Sequence, residues 1–119
     1  MKENLIKDKS FLFAKRIVAL YRYLCDEKRE YVLSKQCLRS GTSIGASIRE
    51  AEYAQSNPDF VHKLSISIKE ANETIYWLDL LYETNYLEKN LYQSIKNDNE
   101  ELLKLLTAII NTSKKKEKT

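Results

Sequence analysis

The side chains able to do chemistry here are few: one histidine, His62, two cysteines, Cys25 and Cys37, and the neighbouring carboxylates Glu70 and Glu73. Di-metal sites in helical bundles need Glu-x-x-His motifs on two helices. The nearest analogue is Asp59-Phe-Val-His62, and a second such motif has no histidine to use. Any Ser/His/Asp or Cys/His arrangement would also depend on His62, and no nucleophile-elbow sequence accompanies it. The run Gly41-Thr-Ser-Ile-Gly45 lacks both the lysine and the preceding strand of a phosphate loop. Glu70 and Glu73 are candidate acid/base residues, but neighbouring helical glutamates usually serve salt bridges or hydrogen bonds to other groups. The cysteines lack CxxC or Cys/His spacing and are expected as small buried hydrophobes. The expectation is a protein that is not an enzyme, with no catalytic residues, no metal site and no cofactor.

Polyanion binding is the chemistry that remains. The net charge is +3, but it is unevenly spread. Residues 1–57 carry 11 basic and 7 acidic side chains, residues 58–113 carry 5 and 9, and residues 114–119 carry 4 and 1. The chain thus has a basic half, an acidic half and a basic tail. Such a division suits either subunits that pack unlike faces together or a weak polyanion surface. Lys15, Arg22 and Arg29 recur every seven residues, with Arg16 beside them, and Lys35 and Arg39 follow. These six are the candidate phosphate contacts for RNA or DNA. A solvated helix face is the simpler account of the same stripe.

Four helices must position these groups. Two glycines and one proline in 119 residues leave little scope for hairpins, so a single all-α domain is expected. No stretch has the roughly 18 uninterrupted apolar residues of a membrane span. The N-terminus lacks a signal-peptide core, and a cytoplasmic location is expected. Helix 1 is placed from near Ser10 to Lys28, with an apolar arc of Phe11, Ala14, Ile17, Val18, Tyr21, Leu24 and Cys25. Phe13 and Leu20 widen that arc. Helix 2 runs from about Tyr31 or Val32 to before Asn57. Its core stripe is Leu33, Cys37, Gly41, Ile44, Ile48 and Ala51. Gly41 and Gly45 would each cost a helix about 1 kcal/mol relative to alanine, so they are read as close-packing positions.

Asn57 is the expected N-cap of helix 3, with Pro58 as its first residue and Asp59 at its positive end. Phe60, Leu64, Ile68, Ala71, Ile75, Leu78 and Tyr82 form the expected core stripe. A second apolar set, Ile66, Trp77, Leu80 and Leu81, lies roughly opposite and is interleaved with Glu70 and Glu73. These six residues are the candidate subunit contacts, with Trp77 as anchor. The alternative is that helix 3 is central and meets another helix of its own bundle there. Helix 4 spans about Glu88 to Thr112 and is interrupted by Asn97-Asp-Asn-Glu-Glu. The expected architecture is an antiparallel up-down-up-down four-helix bundle over 1–113, followed by a disordered basic tail over 114–119.

Two ordered motifs now permit a comparison. Arg39-Ser-Gly-Thr-Ser-Ile-Gly-Ala-Ser-Ile-Arg-Glu-Ala51 resembles the helix 2 signature of the bacterial four-helix bundle proteins named after 23S ribosomal RNA intervening sequences. The segment from Asp59 to Leu78 is similar to that family's second signature, and the likeness runs from roughly Phe11 to Ile110. Ser47 stands where asparagine is common in the family, and Ser67 where alanine is common. The resemblance implies an antiparallel bundle that assembles into a ring, often a homopentamer. It also implies kinship with the accessory protein of diversity-generating retroelements, which binds nucleic acid and a reverse transcriptase. Two functions follow as expectations. One is a non-enzymatic ring-forming protein that binds RNA or DNA. The other is a scaffold or oligomerisation module that engages only itself or a protein partner.

Overall fold

The computed structural model describes the backbone of residues 2–118 and the side chains of residues 4–116. Those residues form four helices: α1 Lys2–Asp26, α2 Leu33–Ala51, α3 Asn57–Glu83 and α4 Lys89–Lys118. Cross-helix partners give their directions. Lys9 pairs with Glu101 and Arg16 with Asp98, so α1 and α4 run in opposite senses. The Ser67 hydroxyl donates to the Ile44 carbonyl at 2.9 Å, and the Thr74 hydroxyl bonds Ser40 Oγ at 2.8 Å. These two buried bonds show α2 and α3 to be antiparallel and fix their register. The fold is therefore the expected antiparallel four-helix bundle, with α1 touching α2 and α4, and α3 touching the same two. No helix among the described residues is long and apolar enough to cross a membrane.

The core is built from Ile6, Phe13, Ile17, Leu20 and Leu24 of α1, Cys37, Ile44 and Ile48 of α2, Leu64, Ala71, Leu78 and Leu81 of α3, and Ile95, Leu102, Leu106 and Ile109 of α4. On α1 the buried face is rotated from the expected arc. Phe13 faces the core and Phe11 is 48% exposed. The rotation follows from Ile6, which is buried because α1 begins a full two turns before Ser10. Nothing in residues 2–9 breaks a helix, and Ser10 donates to the Lys7 carbonyl as an interior residue rather than capping. On α3 the most deeply buried line is Leu64, Ser67, Ala71, Thr74, Leu78 and Leu81. Ile68 and Ile75 flank it, because Ser67 and Thr74 are drawn inward by their bonds to α2.

Capping also departs from expectation by one residue. Ser56, not Asn57, is the N-cap of α3: its side chain accepts from the Asp59 amide at 3.2 Å, and Asp59 accepts from the Gln55 amide at 3.1 Å. The pair resembles a capping box, except that Asp59 reaches back to the Gln55 amide rather than to that of the N-cap itself. Asn57 instead reaches across to the Ser113 carbonyl at 3.0 Å. That contact, with Ser113 itself buried, holds α4 in line beyond its expected end. The lysine run continues as helix through Lys118, where a disordered tail was expected from 114; Thr119 lies outside the described residues. Lysine is a good helix former, and no glycine or proline intervenes. Likewise Asn97–Glu101 does not interrupt α4. Asp98 and Glu101 turn out to ion pairs, and only Asn99 turns in.

At the α1–α2 turn, Arg29 adopts a left-handed φ of 56°. The Glu30 side chain then folds over the start of α2. Its carboxylate accepts from the amides of Val32 at 3.1 Å, Leu33 at 2.8 Å and Ser34 at 2.6 Å. Burial acts to raise the Glu30 pKa, but these backbone donors outweigh it and hold the carboxyl below its ordinary value.

Candidate nucleic-acid interface

The structure separates the six candidate cations into two groups. Arg16 donates to Asp98 and Ser94 on α4, each at 2.7 Å. Arg39 binds Glu70 and Glu73 on α3. Both guanidinium groups have carboxylate partners inside their own chain. Lys15, Arg22, Arg29 and Lys35 are exposed and have no carboxylate partner among the described residues. Lys28 and Arg49 share that condition, so six unpaired cations lie on the α1–α2 hairpin.

Their placement follows from helical register. Phe11, Lys15 and Arg22 share one strip of α1, since four and seven residues return to the same side. Thr42, Ala46 and Arg49 share one strip of α2, and Lys35 continues it at the next turn down. The two strips border a shallow groove of about 290 Å³ between α1 and α2, whose lining includes Phe11, Ala14, Thr42, Ala46 and Arg49, with Ser10 and Gly45, and Lys7, which pairs with Glu52 at 2.7 Å. Lys15 Nζ lies 5.0 Å from the Phe11 ring centroid, and Arg49 Cζ lies 5.1 Å from it. The groove between α1 and α4 differs in kind. Lys9 and Arg16 are there too, but Glu101 and Asp98 balance them.

Arg49 and Phe11 were not among the sequence candidates. The apolar arc from Phe11 through Ala14 and Val18 assigns Phe11 to the core, whereas the ring is 48% exposed. Arg49 sits in a motif whose charges have an equally good solubilising account. The signal that singles them out is spatial, an aromatic ring between two cations from different helices.

The candidate subunit contacts on α3 differ in burial. Leu81 is fully buried in its own core, and Trp77 packs against that core. The Trp77 indole N–H donates to Glu73 at 3.0 Å, and Glu73 and Glu70 hold Arg39. An Arg39–Glu73–Trp77 chain thus links α2 to this face of α3 within one subunit. Ile66 and Leu80 are half-buried beside it. The large apolar side chains that stay exposed include Leu5, Phe11 and Leu12 of α1, Val32 and Tyr53 at the ends of α2, and Tyr76 beside Trp77 on α3.

Gly41 and Gly45 divide as well. A Cβ on Gly41 would stand 2.9 Å from both Cγ1 and Cγ2 of Ile17, whereas on Gly45 its nearest neighbour would be Ser10 Oγ at 3.4 Å. Gly41 is a true close-packing position; Gly45 makes ordinary contact at the end of the groove. Elsewhere, burial pushes the Cys37 thiol up to about 12, which keeps it protonated at neutral pH. His62 is exposed on α3.

The molecule is thus an all-α bundle whose distinctive surface is a cationic groove along one hairpin. It belongs to the 23S rRNA-intervening sequence protein family, whose model matches residues 2–108. A solved structure from Bacteroides thetaiotaomicron VPI-5482, a protein of unknown function from the S23 ribosomal protein family, is 60% identical. The match covers 93% of this chain and 99% of that one, with a TM-score of 0.92. No curated protein matches.

Proposed function

We propose that this is a non-enzymatic bundle that binds RNA or DNA through the outer face of its α1–α2 hairpin, acting as a ring of identical subunits. The observation that supports nucleic-acid binding is the set of unpaired cations on that hairpin: Lys15, Arg22, Lys28, Arg29, Lys35 and Arg49. Phosphate contacts by such groups release counterions, so affinity falls steeply with salt and depends little on sequence. The test is a fluorescence anisotropy titration with labelled RNA at rising salt. Arg22→Gln and Lys35→Gln should each reduce the salt slope by roughly 0.7 for a single strand. Arg39→Gln should leave the slope unchanged, because that guanidinium is already paired. Absence of binding at low salt refutes the reading.

The alternative is an oligomerisation module that binds no nucleic acid. It is favoured by Leu5 and Leu12, which are seven residues apart on α1 and 44% and 61% exposed. Ring assembly, a pentamer on the family resemblance, would bring a second copy against this α1 face rather than against α3. Light scattering on Leu12→Glu tests it. Wild-type mass in a well-folded variant excludes that face.

A further inference from the structure

The groove between α1 and α2 is not only basic. Phe11 presents a large aromatic ring to solvent, and each of its cationic neighbours comes from a different helix. The groove floor beside it is Ala14, Gly45 and Ala46, side chains too small to cover the ring or to fill the space themselves. A duplex presents mainly phosphates to such a surface and has no use for an exposed aromatic face. A single strand uses both, because its unpaired bases stack on aromatic rings while its backbone follows positive charge.

We propose that this groove holds a single-stranded nucleic acid, with one base stacked on Phe11 and the flanking phosphates at Lys15 and Arg49. A base entering the groove displaces a cation from the Phe11 ring. The displaced group stays tethered at the rim, within reach of the adjacent phosphate. Arg22 and Lys35, further along the two rims, extend the same track toward the α1–α2 turn. The small floor residues set the groove's capacity: a bulky side chain at Ala46 would occupy the space that the base needs. Gly45 lies under the same space, and its freedom from close contact distinguishes it from Gly41. The α1–α4 groove carries no such assignment, since its two cations already have carboxylate partners.

This inference rests on the nucleic-acid reading and adds the strand state and the stacking residue to it. The experiment compares the full chain and its variants on two probes, a labelled uridine oligonucleotide of about 16 residues and an RNA duplex of equal length. Phe11→Ala should weaken single-strand binding about tenfold or more, from loss of one stacked base, and leave duplex binding nearly unchanged. Phe11→Leu, which keeps apolar cover on the helix but not the flat ring, should show the same loss. Circular dichroism on each variant checks that the bundle is intact. Ala46→Trp should block the single strand while retaining whatever affinity the duplex has. If the wild type binds the single strand and both Phe11 variants bind it equally well, the stacking site is wrong and the electrostatic reading stands. If the wild type binds neither probe at low salt, both fall.

Discussion

Replacing Gly41 by alanine adds one methyl group at a point where α2 lies directly on Ile17 of α1. The new Cβ would stand 2.9 Å from Cγ1 and Cγ2 of Ile17 and 3.3 Å from its Cβ. Those are the stiff, branched atoms of a side chain that is only 1% exposed, so it cannot swing away. Relief requires the two helices to separate or Ile17 to leave its rotamer, at about 1–3 kcal/mol for overpacking of this kind. Alanine also improves intrinsic helix stability by about 1 kcal/mol over glycine. The net expectation is a loss between roughly zero and 2 kcal/mol. Gly45→Ala has the same propensity gain without the clash, since its Cβ would meet Ser10 no closer than 3.4 Å. It should stabilise by about 0.5–1 kcal/mol. Urea unfolding monitored by circular dichroism, with unchanged m-values, measures both. A double-mutant cycle with Ile17→Ala isolates the contact: in that background Gly41→Ala should become stabilising. If Gly41→Ala raises the midpoint as much as Gly45→Ala does, close approach to α1 is not why position 41 is glycine.

Three further outcomes follow from the same structure. Glu30→Gln removes a buried anionic cap and should destabilise by about 1–2 kcal/mol at neutral pH. Because the folded pKa is depressed, this stability is fully present above the unfolded value near 4.5 and is lost as pH falls through the folded value. Urea midpoints of wild type and variant should therefore converge in acid. Asn99 is fully buried on α4, and neither its Oδ1 nor its Nδ2 has a partner among the described residues. Asn99→Leu should raise the urea midpoint by the equivalent of about 1 kcal/mol or more, and a lower midpoint would show that the amide is satisfied in solution. Trp77→Ala should destabilise the subunit itself, by roughly 2 kcal/mol for a half-buried indole. A variant with unchanged midpoint but reduced mass in light scattering would restore Trp77 to a subunit interface.

The sequence made the bundle legible because helix-breaking residues are nearly absent, with Pro58 marking the turn into α3. The four helices and their order follow from that, as does most of the core on α2, where Cys37, Gly41, Ile44, Ile48 and Ala51 are all buried as spaced. What it hid has a common cause. On α1 and α3 apolar side chains occur on two faces, so periodicity alone does not choose between them. The choice on α3 is made by Ser67 and Thr74, polar residues that a hydrophobic pattern discounts and that bond across to α2. The choice on α1 is made by Ile6, which lies outside the segment first read as helical. Ser56 was passed over as a cap because Asn57-Pro58-Asp59 offers the same chemistry one residue later.

The division of charge between the halves of the chain is where sequence and structure together say most. A basic half and an acidic half suggested complementary subunits, but much of that complementarity is consumed within one chain. Lys9 and Arg16 of α1 meet Glu101 and Asp98 of α4, and Arg39 of α2 meets Glu70 and Glu73 of α3. These pairs are at least partly exposed, so each adds little to stability. Their larger effect is on what remains. Most of the ion pairs among the described residues lie along the α1–α4, α2–α3 and α3–α4 seams, and the α1–α2 seam holds one, Lys7 with Glu52 at the C-cap of α2. The α1–α2 seam has no acidic helix opposite it. Both of its walls come from the basic half of the chain, and Lys15, Arg22, Lys28, Arg29, Lys35 and Arg49 are left there without a carboxylate partner among the described residues.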